Sequence, residues 1–234
     1  MISQIKSKIK QSYIFDPAYL FWTLITTNLA PSFGLAYTEP LSPIGKLILF
    51  PCSIGVHTII FSLHKNIGMI QLLLCPYLVL HGFEIVLLFL FGECVIPSDM
   101  FLTLVTTNAS EAGEVLKNLW YSVVIVILLY LPTIALSISA CVNKIYTTDN
   151  FRHNAQKIGF ILLGISFILS FFAKNTNTNQ YKFYEDAYPI NLFYNLGLAL
   201  YKYHCSAIYP QQSKNFRFHS IIRKHSASNQ QTSR

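Results

Sequence analysis

Charge is what this sequence has least of: 12% of its 234 residues are Asp, Glu, Lys or Arg, against 53% hydrophobic. A soluble domain carries roughly twice that charged fraction. The shortage excludes an ordinary water-soluble globule and points to a membrane protein. The charges present are lopsided, 17 Lys+Arg against 10 Asp+Glu, for a net +7. In a membrane chain such a balance first reports topology. No basic stretch is interleaved with aromatics for base stacking, so nucleic acid is not an expected partner. Cysteine is sparse too. Cys52, Cys75, Cys94, Cys141 and Cys205 form no CxxC pair and no metal-ligand spacing. Most fall in apolar runs, where Cys behaves as a small hydrophobe. Cys94 and Cys205 lie outside such runs and could pair in an oxidising compartment.

Long apolar runs are abundant. Crossing the hydrocarbon core takes about 20 apolar residues as a helix. Five stretches meet or approach this: Pro17 to Thr38, Leu47 to Leu63, Ile67 to Phe91 (interrupted by Glu84), Leu119 to Val142, and Ile158 to Ala173. The last is short, but Lys157 and Lys174 bracket it and can snorkel. The first could also be read as a signal peptide, since Lys6, Lys8 and Lys10 precede it; its apolar core is longer than a usual signal, which favours an uncleaved span. The expectation is an all-α polytopic membrane protein: a five-span domain over 1–174 and a bridge over 175–234. Pro31, Pro51, Pro76 and Pro132 are expected to kink spans. Trp22, Trp120, Tyr121 and Tyr130 read as interfacial anchors or packing residues.

Orientation follows from the cations near the span ends. With the N-terminus inside, the inner segments hold Lys6, Lys8, Lys10, Lys65, Lys144, Arg152 and Lys157; the short outer ones hold Lys46 and Lys117. The N-terminus is therefore expected in the cytoplasm, and the 92–118 loop and everything after Lys174 outside. In the bridge, 189–203 reads as a helix with Pro189 near its start and a stripe of Leu192, Phe193, Leu196 and Leu200. Such a helix suits the membrane surface.

The outer loop holds the most polar stretch between two greasy runs, TTNASEAGEVL from Thr106 to Leu116. A helix over about 99–118, capped by Ser98 or Asp99, would put Thr103, Thr107 and Glu111 at i, i+4 and i+8 on one face, with Glu114 bordering it and Asn108 flanking. A hydroxyl and carboxylates at the mouth of a bundle suit an ammonium and its neighbouring oxygens. The same pattern is also what the solvated face of an ordinary surface helix would show.

This stretch, TLVTTNASEAGEVL between the third and fourth of five spans, resembles the bacterial phosphoethanolamine transferases that modify lipid A or lipopolysaccharide core. The bridge sequence YEDAYPINLFYNLGLALYKY extends the resemblance toward the end of the chain. The family joins a five-span membrane domain to a periplasmic hydrolase-like domain of the alkaline phosphatase and sulfatase superfamily. The resemblance implies a protein of the bacterial inner membrane. Phosphatidylethanolamine would be the donor, and lipid A or a lipopolysaccharide core the acceptor. Thr107 and Glu111 match the family's donor-holding threonine and glutamate. Thr103 stands where the family often has Asn, and Glu114 fits the E-A-x-E pattern of the core-modifying branch.

The family's zinc-activated threonine and its metal ligands are not found here. There is no Asp or Glu after Asp186, and His204, His219 and His225 show no ligand spacing. The expectation is the membrane half of a transferase, truncated or separately encoded, with no cofactor of its own and no catalytic residue in this chain. Zinc would belong to the missing domain, which a partner chain could supply.

His81 and Glu84 stand one turn apart within the third run. An intramembrane carboxylate is by default a functional candidate. It could serve a proton-coupled transporter or channel subunit. Alternatively, Glu84 reaches interfacial water near the outer end of a long span, with His81 as its satisfied partner. His57 reads as a satisfied buried histidine. A third reading is a degenerate product with no activity.

Overall fold

The computed structural model describes residues 16–39, 41–92, 95–108, 110, 113–114, 117, 119–173 and 181–213. Among them the regular structure is helical, and local sequence explains most helix starts. Asp16 accepts hydrogen bonds from the Ala18 and Tyr19 amides and opens α1, Pro17–Asn28. The chain breaks at Leu29 and restarts as α2, Ala30–Thr38, with Pro31 in its first turn. The run expected as one kinked span over 17–38 is thus two helices. A proline there removes an amide and cannot continue the preceding ladder. Helix α3, Pro43–Ser62, begins four residues before the expected 47, because Ser42 caps the Gly45 amide and Pro43 takes the first helical position. Pro51 sits inside it.

The 67–91 run is also divided. Asn66 caps α4, Ile67–Leu73; α5, Cys75–Phe91, follows with Pro76 in its first turn and a bend of 60° between them. Gly92 ends α5 at φ 72°, a left-handed cap that glycine adopts without a Cβ penalty. Then come α6, Ser98–Thr106, and α7, Trp120–Val142, which contains Pro132. Thr148 caps α8, Asp149–Ser170. This last helix starts nine residues before the expected 158. The apolar count that set the expected boundary discards Asp149, Arg152 and Lys157, but a capped helix tolerates charges in its first turns. Two more helices follow among the described residues: α9, Phe183–Asp186, and α10, Ile190–Ser213, which continues ten residues past the expected 203.

Among the described residues two helices, α3 and α7, are long and apolar enough to cross a membrane, and the bent α4–α5 pair makes a third candidate span. Large apolar side chains face outward: Ile127, Leu128 and Leu131 on α7, and Phe160, Ile161 and Ile168 on α8, are exposed. In water such surfaces would aggregate; against lipid tails they are matched.

Small residues bring the helices close. A Cβ on Gly55 of α3 would lie 2.9 Å from the Gly159 carbonyl oxygen of α8, and one on Gly159 would meet Ile59 Cγ1 at 2.6 Å. Gly68 of α4 likewise lies against the Ser137 carbonyl of α7, next to Ala140. Where lipid competes for every apolar face, such close backbone approach is a main source of helix association. Around these crossings Phe21 packs edge-on against Phe61 and Phe151, with Leu24, Ile25 and Ile67 beside it.

One end of the bundle is laced by polar contacts. The Thr147 amide donates to the Lys65 carbonyl at 3.0 Å, and Arg152 donates to the Ser62 and Leu63 carbonyls at 3.1 and 3.2 Å. The guanidinium satisfies carbonyls that the end of α3 leaves without partners. Helix α6 and the start of α10 lie in a second cluster, where Ile96, Phe101, Leu192 and Ala199 pack with Leu35, Leu49 and Leu87.

Candidate functional site

Two places draw the functional argument. The first is α6. Pro97, not Ser98 or Asp99, occupies the cap position, with no side-chain cap bond. Ser98 and Asp99 are instead committed to Lys202 of α10, whose ammonium donates to Ser98 Oγ and Asp99 Oδ1 at 2.8 Å each. This ammonium holds the Asp99 carboxyl below its usual range, mainly through the hydrogen bond and then through its charge. Two turns before Lys202, Asn195 Nδ2 donates to the Ile96 carbonyl at 3.1 Å. Helix α6 is therefore fastened to α10 at three points.

The helix does not run to 118 as expected. Thr103 is helical and exposed, and its hydroxyl donates to the Asp99 carbonyl. Thr107 is the C-cap, at φ −66° and ψ 130°. Both its amide (2.8 Å) and its hydroxyl (2.7 Å) donate to the Thr103 carbonyl. Here the chain leaves the helix, so the helical face that carries Thr103 ends at Thr107. The physical reason is local. Thr106, Thr107 and Asn108 are weak helix formers, and a threonine hydroxyl that takes the carbonyl one turn back competes with the helix ladder. Asn108 and Glu114 are exposed. Glu111 lies outside the described residues.

The second place is buried. Three tyrosines, two histidines and one carboxylate meet inside the bundle, drawn from α3, α5, α7 and the link before α10. His57 of α3 is fully enclosed; its Nδ1 contacts the Ser53 carbonyl at 2.7 Å and its Nε2 the Tyr77 hydroxyl at 3.2 Å. His81 follows Tyr77 by one turn of α5, and the two rings lie 3.9 Å apart between centroids. Glu84 is a further turn along, 2% exposed. Its Oε2 accepts a hydrogen bond of 3.0 Å from the hydroxyl of Tyr188, itself 0% exposed. The ring of Tyr130, from α7, approaches His81 at 6.1 Å.

Both sequence readings of Glu84 need revision on one point. The carboxyl does not reach interfacial water, and His81 is not its hydrogen-bond partner. Tyr188 is. Both ring nitrogens of His81 are buried with no hydrogen bond, an arrangement that costs free energy unless something polar meets them. Tyr188 does not stand out in the sequence as a partner for Glu84. Its one available signal was its position just before Pro189 in an otherwise apolar stripe.

Other expected features resolve simply. Cys205 is a free, exposed thiol, and Cys94 lies outside the described residues. Among the described residues no group of three or more His, Cys, Asp and Glu could hold a metal ion.

The described residues define a helical protein with two or three candidate membrane spans and a buried polar cluster. Comparison with known proteins adds no relative: no family model, no curated protein and no solved structure matches the chain.

Proposed function

We propose that this chain is the membrane domain of a phosphoethanolamine transferase, which holds phosphatidylethanolamine for transfer to lipid A or lipopolysaccharide core. The observation that carries the reading is the T-N-x-x-E-A-x-E stretch from Thr107 to Glu114, directly after a helix that is itself fastened to α10. In this reading α1–α2, α3, α4–α5, α7 and α8 are five passes through the bacterial inner membrane. The end laced by Lys65 and Arg152 faces the cytoplasm, as the cation count requires. Helices α6 and α10 then lie on the periplasmic side. Thr107 and Glu111 grip the donor headgroup, with Thr103, Asn108 and Glu114 around them. Thr107 acts from the end of a helix rather than from its middle. Zinc and the nucleophilic threonine belong to the family's catalytic domain, in a partner or a longer chain.

The test is donor binding. In nanodiscs, native mass spectrometry should retain phosphatidylethanolamine over phosphatidylcholine on the chain, and Glu111→Ala or Thr107→Ala should erase the preference. Equal retention of both lipids by the unaltered protein would sink the assignment.

A second reading, a proton-coupled transporter or channel subunit, draws on the burial of Glu84 beside His81. It requires pH-driven flux in liposomes that stops in Glu84→Gln.

A further inference from the structure

Glu84 is left without a role by the donor-binding reading, yet a carboxyl so deep in an apolar bundle is costly to keep. Its contact partner supplies one. Tyr188 comes from a segment 104 residues further along the chain, and its ring is wholly enclosed. Two residues later α10 begins. Leu192 and Ala199 of that helix pack with Ile96 and Phe101, Phe193 stacks on Tyr77 at 5.6 Å and 12°, and Asn195 and Lys202 hold the start of α6. Helices α6 and α10 are thus one unit, and Tyr188 pins its near end inside the bundle.

We infer that Glu84 is a positioning residue: by accepting the Tyr188 hydroxyl it anchors the α6–α10 unit to α5. The hydrogen bonds of Asn195 and Lys202 join α10 to the start of α6, not to the bundle, and the Lys202–Asp99 pair is open to solvent, with its side chains 41% and 81% exposed. Exposed ion pairs hold little. A buried hydrogen bond holds more, because breaking it strands the remaining partner without water. What Glu84 must provide is an acceptor oxygen, which an amide also carries. The anchor stands independently of the donor; that it positions Thr103 and Thr107 for a lipid headgroup rests on the reading above.

Hydrogen exchange read by mass spectrometry on the whole chain in nanodiscs tests this. Tyr188→Phe and Glu84→Leu should speed exchange in α6 and α10 by about tenfold, the scale of one buried hydrogen bond, while α3 and α8 stay protected. Glu84→Gln should match the unaltered protein. Unchanged α6 in Tyr188→Phe overturns the proposal, and so does a Glu84→Gln variant as loose as Glu84→Leu. Should Leu at 84 unfold the bundle, seen as lost protection in α3 and α8, the hydroxyl deletion at 188 decides alone. Loosened α6 with phosphatidylethanolamine retention intact would uphold the anchor and overturn its role in positioning Thr103 and Thr107 for the headgroup.

Discussion

The Asn28 carboxamide donates to the Gln71 side-chain oxygen at 2.9 Å, joining α1 to α4 where both residues are wholly buried. The same nitrogen also reaches the Leu24 carbonyl at 2.8 Å. Removing one amide strands the other. Asn28→Leu should therefore lower stability by about 1–2 kcal/mol in detergent unfolding, near the upper end for polar contacts between membrane helices. Replacing both by Leu should cost less than the sum of the single changes. Additive losses would mean that the pair does not interact.

The Gly55–Gly159 crossing predicts a sharp contrast between two glycines of α8. Gly159→Ala places a methyl 2.6 Å from Ile59 Cγ1 and 3.0 Å from the Gly55 carbonyl oxygen. It should destabilise by about 1–3 kcal/mol, the usual cost of overpacking. At Gly164 nothing lies within 4 Å, so Gly164→Ala should be neutral or stabilise by up to ~1 kcal/mol through helix propensity. Thermal unfolding of the two variants side by side checks this.

Arg152 predicts an effect at the opposite end from α6. Its guanidinium serves the Ser62 and Leu63 carbonyls and pairs with Asp149 at 2.9 Å. Arg152→Ala should cost about 1–2 kcal/mol by leaving helix-end carbonyls without their charged donor. Arg152→Lys should recover only part of that, since an ammonium cannot present the same fork. Denaturant midpoints of the three proteins give the order.

The Asp99–Lys202 contact predicts how α6 docking responds to acid. Its folded carboxyl is held below the ordinary value by the ammonium. A depressed carboxyl stabilises the docked state above the unfolded-state value, near 3.9, and that contribution is lost as pH falls through the lower folded value. Exchange in α6 should quicken below about pH 4, and Lys202→Met should abolish that step. A step that persists in Lys202→Met would assign it to another group.

How much of this was legible follows from range. The apolar runs that became α3 and α7 are long and nearly free of charge, and length alone reveals them. Pro31 and Pro76 were visible as disruptions, but whether a proline bends a helix or begins a new one depends on what packs at the break, which is tertiary. The early start of α8 was hidden because charges in a capped first turn look like loop. At the sites, Glu84 stood out by its type in an apolar run. Its partner could not, since Tyr188 is 104 residues away and was one of 14 tyrosines. The end of α6 at Thr107 turned on a hydroxyl choosing a carbonyl, a contest of about 1 kcal/mol that spacing does not decide.

The elbow between α4 and α5 has a mechanical consequence. With 17 residues, α5 rises about 25 Å, short of the ~30 Å hydrocarbon slab. The seven residues of α4, inclined by 60°, add roughly 5 Å along the same direction. Straightened, the pair would overshoot. Taken as one span, the pair predicts that thicker bilayers open the joint and thinner ones close it. Because Gly68 seats α4 against α7, lipid chain length would be felt as a change of pressure on that seam.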